Sequence, residues 1–449
     1  MKKTILVICL SLCLALTLGA CGGGTQSQDA PAAGNAPVAG DSGSTASEDA
    51  PAQANPDAKV VNFWTFHTDA EGEFFASLGP AYSAINPDVQ VDLRILPQDE
   101  YMGAALTSAF AADVGPNVFV MSPGDFLKYA NSGIALDLNP YFTDAMRADF
   151  LESSVEACTV DGKLVGIPFE IELLGIYYNI DILEAAGVTP PKTWGELIDA
   201  TSKLTTNEVA GMVIEPTKGY YQNFTWYPFL WQGGGGVLDE ATMTGTFEGP
   251  AVENALKLWS DLVKAGAPST LPIPGTWDIA MIGDGSAAMQ ICGTWPIATL
   301  ETEYADKNIG LIPLPIPDGG EPFTTAGGWK MMVSSKGENY EEAAKFALWA
   351  FAEDIALPLQ WCTEVKFAYS PRRSVVEAGG AIYEKGLRKV FTDEIYSTAV
   401  GEPRYPAEIV DAVGDALQDV MLGGGDPAAA AKTANDKINN FLSSFEGSM

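Results

Sequence analysis

Residues 161–203 read DGKLVGIPFEIELLGIYYNIDILEAAGVTPPKTWGELIDATSK. Asp161-Gly162 is a turn dipeptide between two β-prone runs, so 155–167 is expected to form a hairpin. Gly166 and Pro168 punctuate the chain, and Ile176-Tyr177-Tyr178 reads as a short buried strand. Asp181 opens a helix that stops at Gly187, a residue type suited to the left-handed position past a helix end. Pro190-Pro191 blocks any continuation. Thr193 and Glu196 then form a T-x-x-E capping box for a helix reaching about Leu204.

Working outward, the N-terminal half of the body alternates in the same way. Val60 to Phe66 is a β run, followed by the loop His67-Thr68-Asp69 and a helix from Glu71 to Ile85. Val89 to Leu96 and Asn117 to Met121 are further strands, with a helix over 99–112 between them and another ending at Gly133. This β-α-β-α-β-α order indicates an α/β fold with a parallel sheet covered by helices. Ligands in such folds bind beyond the carboxyl ends of the strands. That places Trp64, His67, Asp69, Glu71 and Asp125 at one rim. Downstream, Gly219 to Gly236 is dense in aromatics, including Trp226 and Trp231. Ala251 to Ala265 is an amphipathic helix. A last helix starts at Asp426-Pro427 and carries Ile438, Phe441, Leu442 and Phe445 on one face.

The chain has 449 residues, 47% hydrophobic and 18% charged, enough for two domains with full cores. Met1-Lys2-Lys3 and the apolar run Ile5 to Leu18 read as a signal peptide over 1–20. The run is too short to span a bilayer comfortably. It ends in Leu18-Gly19-Ala20-Cys21, which resembles a bacterial lipobox and makes Cys21 the expected lipidation site, with two acyl chains as a stable anchor. Losing Lys2 and Lys3 takes the basic count from 25 to 23 and the formal charge from −33 to −35. With no basic cluster, nucleic acid is not an expected partner, and such a body has no electrostatic attraction to an anionic membrane. Residues 21–58, rich in Gly, Ala, Ser and Pro, form a tether that cannot order itself, with a reach of roughly 35 Å as a flexible coil. Cys158, Cys292 and Cys362 are odd in number and widely spaced, so they read as buried free thiols.

The phrase Gly166-Ile167-Pro168, the β run to Tyr178-Asn179, Asp181-Ile182-Leu183-Glu184-Ala185-Ala186-Gly187 and Thr193-Trp194-Gly195-Glu196-Leu197 together resemble the extracellular solute-binding proteins of ABC importers, family 1, the maltodextrin-binding-like group. The resemblance covers roughly 59–449. It implies a two-lobe, periplasmic-binding-protein-like (type II) fold, each lobe a sheet covered by helices, with the ligand cleft between lobes. It further implies lobe 1 at 59–168 and 328–367, lobe 2 at 173–322 and 372–449, and hinge crossings at 169–172, 323–327 and 368–371. Gly293-Thr294-Trp295-Pro296 fits the family's short strand, glycine and exposed tryptophan, and Gly327-Gly328-Trp329 lies on the second return between lobes. Tyr369 to Arg373 resembles the third.

A catalytic reading competes. The chain has one histidine, no G-x-S-x-G elbow, no P-loop and no zinc-ligand spacing. Glycosidase chemistry needs only two carboxylates, which Glu170, Glu172, Asp69 and Asp125 would supply. Binding explains the same residues more economically. Sugar C–H faces suit aromatic rings and hydroxyls suit carboxylates. Micromolar affinity needs only about −8 kcal/mol. The expected ligand residues are Trp64, His67, Asp69, Glu71, Asp125, Glu170, Glu172, Trp226, Trp231, Trp295, Trp329, Arg372 and Tyr405. Glu170 and Glu172 share one face of an extended segment, so at least one is expected to meet ligand. No cofactor and no metal are called for. The expected partners are a small solute, which the resemblance implies is a carbohydrate, and ABC permease subunits. The protein is expected to be a monomer, lipid-anchored at the cell surface. A non-sugar solute such as a polyamine, a glycoside-acting enzyme and a signalling receptor stay open as alternatives.

Overall fold

The computed structural model describes residues 55–271 and 275–447. The expected signal segment 1–20, Cys21 and the tether up to residue 54 lie outside the described residues. Strand β1 (Lys59–Thr65), helix α1 (Asp69–Ile85), strand β2 (Val89–Ile95), a helical run α2 over 98–111, strand β3 (Val118–Met121) and helix α3 (Pro123–Asn131) open the body. Next come β4 (Ile167–Pro168), β5 (Gly175–Asn179), α4 (Ile180–Ala185), α5 (Trp194–Leu204), α6 (Tyr220–Gln232) and α7 (Pro250–Ala265). Strands β6 (Met289–Cys292), β7 (Ile309–Ile312), β8 (Thr324–Ala326) and β9 (Lys330–Val333) follow. The C-terminal part adds α8 (Tyr340–Leu348), α9 (Arg373–Tyr383), β10 (Ala399–Gly401), α10 (Ala407–Met421) and α11 (Pro427–Leu442).

The first sheet has the order β2-β1-β3-β9-β4. Its β1, β2 and β3 are parallel, as the βα alternation requires, whereas β9, from later in the chain, runs antiparallel between β3 and β4. The second sheet, β6-β5-β7, is antiparallel throughout. Each sheet has its own core. Val61, Phe63, Phe75, Phe119, Met331, Phe346 and Trp361 pack on the first. Leu174, Ile176, Trp226, Trp259, Met289, Val413 and Ile438 belong to the core beside the second. The chain therefore forms two lobes, each sheet covered by helices, with buried apolar area as the main stabilising term.

Local signals hold well. Thr193 Oγ1 accepts from Glu196 N and Glu196 reaches back to Thr193 N, so the capping box on α5 is closed. Asp426 caps α11 through Ala429 N. The hairpin is shorter than expected: Thr159 pairs with Leu164, both turn residues Asp161 and Gly162 take positive φ, and Val155 belongs instead to a short helix. Phe445 lies beyond the end of α11.

The segments that pass between the lobes lie side by side. Ile171 bridges Tyr369, Leu173 bridges Ala326, and β8 pairs in parallel with β10. Gly328 permits this approach. Its φ is +107°, and a Cβ there would stand 2.3 Å from the Glu170 carbonyl oxygen.

Candidate functional site

A cavity of about 830 Å³ lies between the lobes. Its walls come from loop ends, as expected for a sheet-and-helix scaffold. The first lobe supplies Phe66 and His67 from the loop after β1, Asp69 and Glu71 from the first turn of α1, and Trp329 just before β9. The second supplies Tyr220, Tyr221 and Phe224 from α6, Trp277, and Trp295 after β6. Glu172 lies between β4 and β5, Lys366 directly follows the helical segment 356–365, and Glu402 follows β10.

The charge centre of the cavity is Lys366, only 3% exposed. Its Nζ is 2.5 Å from Glu172 Oε1, 3.2 Å from Glu170 Oε2 and 3.6 Å from Glu71 Oε1. Burial opposes its charge, but the three carboxylates outweigh burial and hold its pKa well above the ordinary lysine value. Three carboxylates against one ammonium leave excess negative charge in a poorly solvated place. Burial and the neighbouring Glu170 and Glu71 charges accordingly push the Glu172 carboxyl up to about 8, against the pull of Lys366. Burial also raises Glu71.

His67 stacks on Phe66, with ring centroids 4.3 Å apart, and meets Trp329 edge-on at 6.0 Å. Its Nδ1 is 2.5 Å from Thr65 Oγ1, and its Nε2 is 3.6 Å from Glu71 Oε2. Burial first, and the Lys366 charge second, lower its pKa well below the usual imidazole range. His67 is therefore a neutral, apolar-packed part of the wall at neutral pH.

Of the expected ligand residues, His67, Asp69, Glu71, Glu172, Trp295 and Trp329 line the cavity. The others do not, each for a physical reason. Trp64 lies beneath the Arg94 guanidinium, 4.5 Å from its ring centroid, on the flank of the sheet. Asp125 sits in the first turn of α3, whose cap is Ser122, and packs outside the cavity lining. Glu170 is fully buried behind the wall, where it accepts from Trp361 Nε1 at 2.7 Å and from Trp329 N at 3.1 Å. Trp226 is fully buried, with its indole N–H on the Ala255 carbonyl. Trp231 stacks on Tyr227 one turn earlier in α6. Tyr405 packs edge-on against Tyr227 in the second lobe's core. Arg372 is buried and donates to Asp149 Oδ2 and to the Phe351, Glu353 and Asp354 carbonyls, so it fastens the start of α9 to the first lobe.

Sequence reading missed Tyr220, Tyr221 and Phe224, although helix geometry contains them. At 3.6 residues per turn, positions 220, 221 and 224 share a face, and 226 falls on the far side. It also missed Lys366, Glu402 and Trp277. Lys366 had one signal: a lone lysine between Val365 and Phe367 needs buried carboxylates, and 170 and 172 supply them. Glu402 is half-buried, and its carboxylate has no hydrogen-bond or ion-pair partner among the described residues. Burial pushes it up to about 8.

The profile of bacterial extracellular solute-binding proteins matches residues 67–356. The chain belongs to that family. The aromatic helix α6 and the segments 169–172 and 323–327 fall inside the matched span. Among relatives, the maltotriose-binding protein of Pyrococcus abyssi is 26% identical over 295 residues, covering 65% of this chain and 62% of that one. Two solved structures share the fold. A solute-binding protein from Thermotoga lettingae bound with α-D-tagatose superposes with a TM-score of 0.75 at 23% identity, covering 86% of this chain and 100% of the other. The GacH receptor of Streptomyces glaucescens, solved unliganded and with acarbose, gives 0.74 at 23% identity, covering 87% and 100%.

Proposed function

We propose that this protein is the substrate-binding component of an ABC importer, taking a sugar or oligosaccharide into its interlobe cleft and delivering it to a membrane permease. The observation that carries the reading is the make-up of the cavity. Aromatic rings face it from both lobes: Phe66 and Trp329 from one, Tyr221, Phe224, Trp277 and Trp295 from the other. Carboxylates of Asp69, Glu71, Glu172 and Glu402 stand between them. Flat rings match the C–H faces of pyranoses, and carboxyl oxygens match hydroxyls. The names of the relatives, a maltotriose-binding protein and receptors solved with tagatose or acarbose, support the same class.

The crossings act as a hinge in this account. Ligand touching both walls favours the closed state by its extra affinity for that state, and the closed form docks on the permease. The protein binds without turnover. Cys21 carries the lipid, and the tether lets the body reach the permease from the outer face of the membrane. Replacing Cys21 with serine would then release the protein from the membrane fraction.

A thermal-shift screen over oligosaccharides, polyamines and amino acids tests the reading, because a ligand of the native state adds about 2.7 kcal/mol at one hundred times its Kd. A sugar is expected to raise the melting temperature. A shift by polyamines or amino acids alone would overturn the sugar assignment. Release of shorter products from an oligosaccharide would overturn binding without turnover.

A further inference from the structure

We infer that Glu215 is a positioning residue for the cleft: with Gln290 it presets the loop that carries Trp277. This inference rests on the cavity being a binding site. The ring of Trp277 lines that cavity and is 36% exposed, yet it stands on the irregular segment 275–279. A ring on such a loop is ordinarily free to reorient. Here the loop's backbone is held by side chains.

Glu215 is 3% exposed. Its Oε2 accepts from Thr276 N at 2.9 Å, and its Oε1 accepts from Thr217 N at 2.9 Å. Gln290, on β6 and 1% exposed, donates through Nε2 to the Thr276 carbonyl at 3.0 Å and the Asp278 carbonyl at 2.6 Å. Trp295 Nε1 donates to the Trp277 carbonyl at 2.8 Å. Both ends of the clamp come from one place, because the segment carrying Val213 pairs in parallel with Gln290. Gly275 completes it. Its φ is +79°, and a Cβ there would stand 2.4 Å from the Trp277 ring.

A buried carboxylate is a poor choice for stability alone, since apolar groups of similar volume commonly serve as well or better. It is a good choice for fixing amide groups of a loop in one geometry, which lowers the ordering cost of binding. The clamp and the ring it aims therefore form one device: Glu215 never meets ligand but decides where Trp277 stands.

The test uses no ligand, so its failure is distinct from failure of the sugar assignment. The protein is labelled with 5-fluorotryptophan, and the Trp277 fluorine line is assigned by its loss in Trp277→Phe. In Glu215→Ala that line is expected to narrow and move toward the position of free fluorotryptophan. The lines of Trp259 and Trp361, buried in the two cores, are expected to stay. Gln290→Leu removes the opposite half of the clamp and carries the same expectation should Glu215→Ala not fold. A lowered melting temperature with an unmoved Trp277 line in either folded variant would mean a merely structural role and overturn the inference.

Discussion

Lys366 compensates three carboxylates at once, so its removal should be felt far more than that of any one partner. Lys366→Met would leave Glu71, Glu170 and Glu172 without a cation. Breaking a buried pair in this way costs about 3–5 kcal/mol, to be read from urea denaturation at neutral pH. Glu172→Gln should cost less there, because burial and the Glu170 and Glu71 charges already push the Glu172 carboxyl up to about 8 against the pull of Lys366. A loss in Glu172→Gln equal to that in Lys366→Met would contradict this assignment. His67 gives a pH signature. Its folded pKa lies well below the unfolded value of about 6.5, so the unfolded chain binds its proton first as pH falls. Stability is then lost below about pH 6.5, and His67→Gln should flatten that part of the profile. At this scale the sequence showed half of the site. Period-2 alternation puts Glu170 and Glu172 on one face, where both reach Lys366, but it does not report that cation or that Trp329 and Trp361 take up Glu170 as a buried acceptor. That depends on contacts 159 and 191 residues away in sequence.

Helices and strands were more legible than the faces they present. The capping box of α5, the Asp426 cap of α11 and the turn at Asp161-Gly162 all rest on neighbours within four residues, which sequence displays directly. Thr193→Ala should accordingly cost about 1 kcal/mol of stability, measured as a shift of the urea midpoint with an unchanged slope; no shift would show the cap to be redundant. Helix α6 was the failure. Almost every residue from Gln222 to Gln232 is buried, so it has no polar stripe to mark its orientation. Its tryptophans then looked equivalent to its tyrosines. Only the packing of Trp226 against Ala255 and Phe247 separates core from cleft.

The whole molecule is two sheet-centred lobes joined by adjacent crossings, and the family's order of strands and helices was readable because βα alternation and turn residues are local features. The antiparallel entry of β9 between β3 and β4 was not, since it joins segments more than 150 residues apart. Neither was the anchoring of Arg372 on Asp149 and the Asp354 carbonyl, 223 and 18 residues away in sequence. We propose that rings on opposite lobes grip one uncharged sugar, and calorimetric titration of the best sugar from the screen into Trp329→Ala and Trp295→Ala decides it. Each stacked ring is worth about 0.5–1.5 kcal/mol, so each variant should bind roughly 2- to 13-fold more weakly. Unchanged affinity in both would contradict the claim.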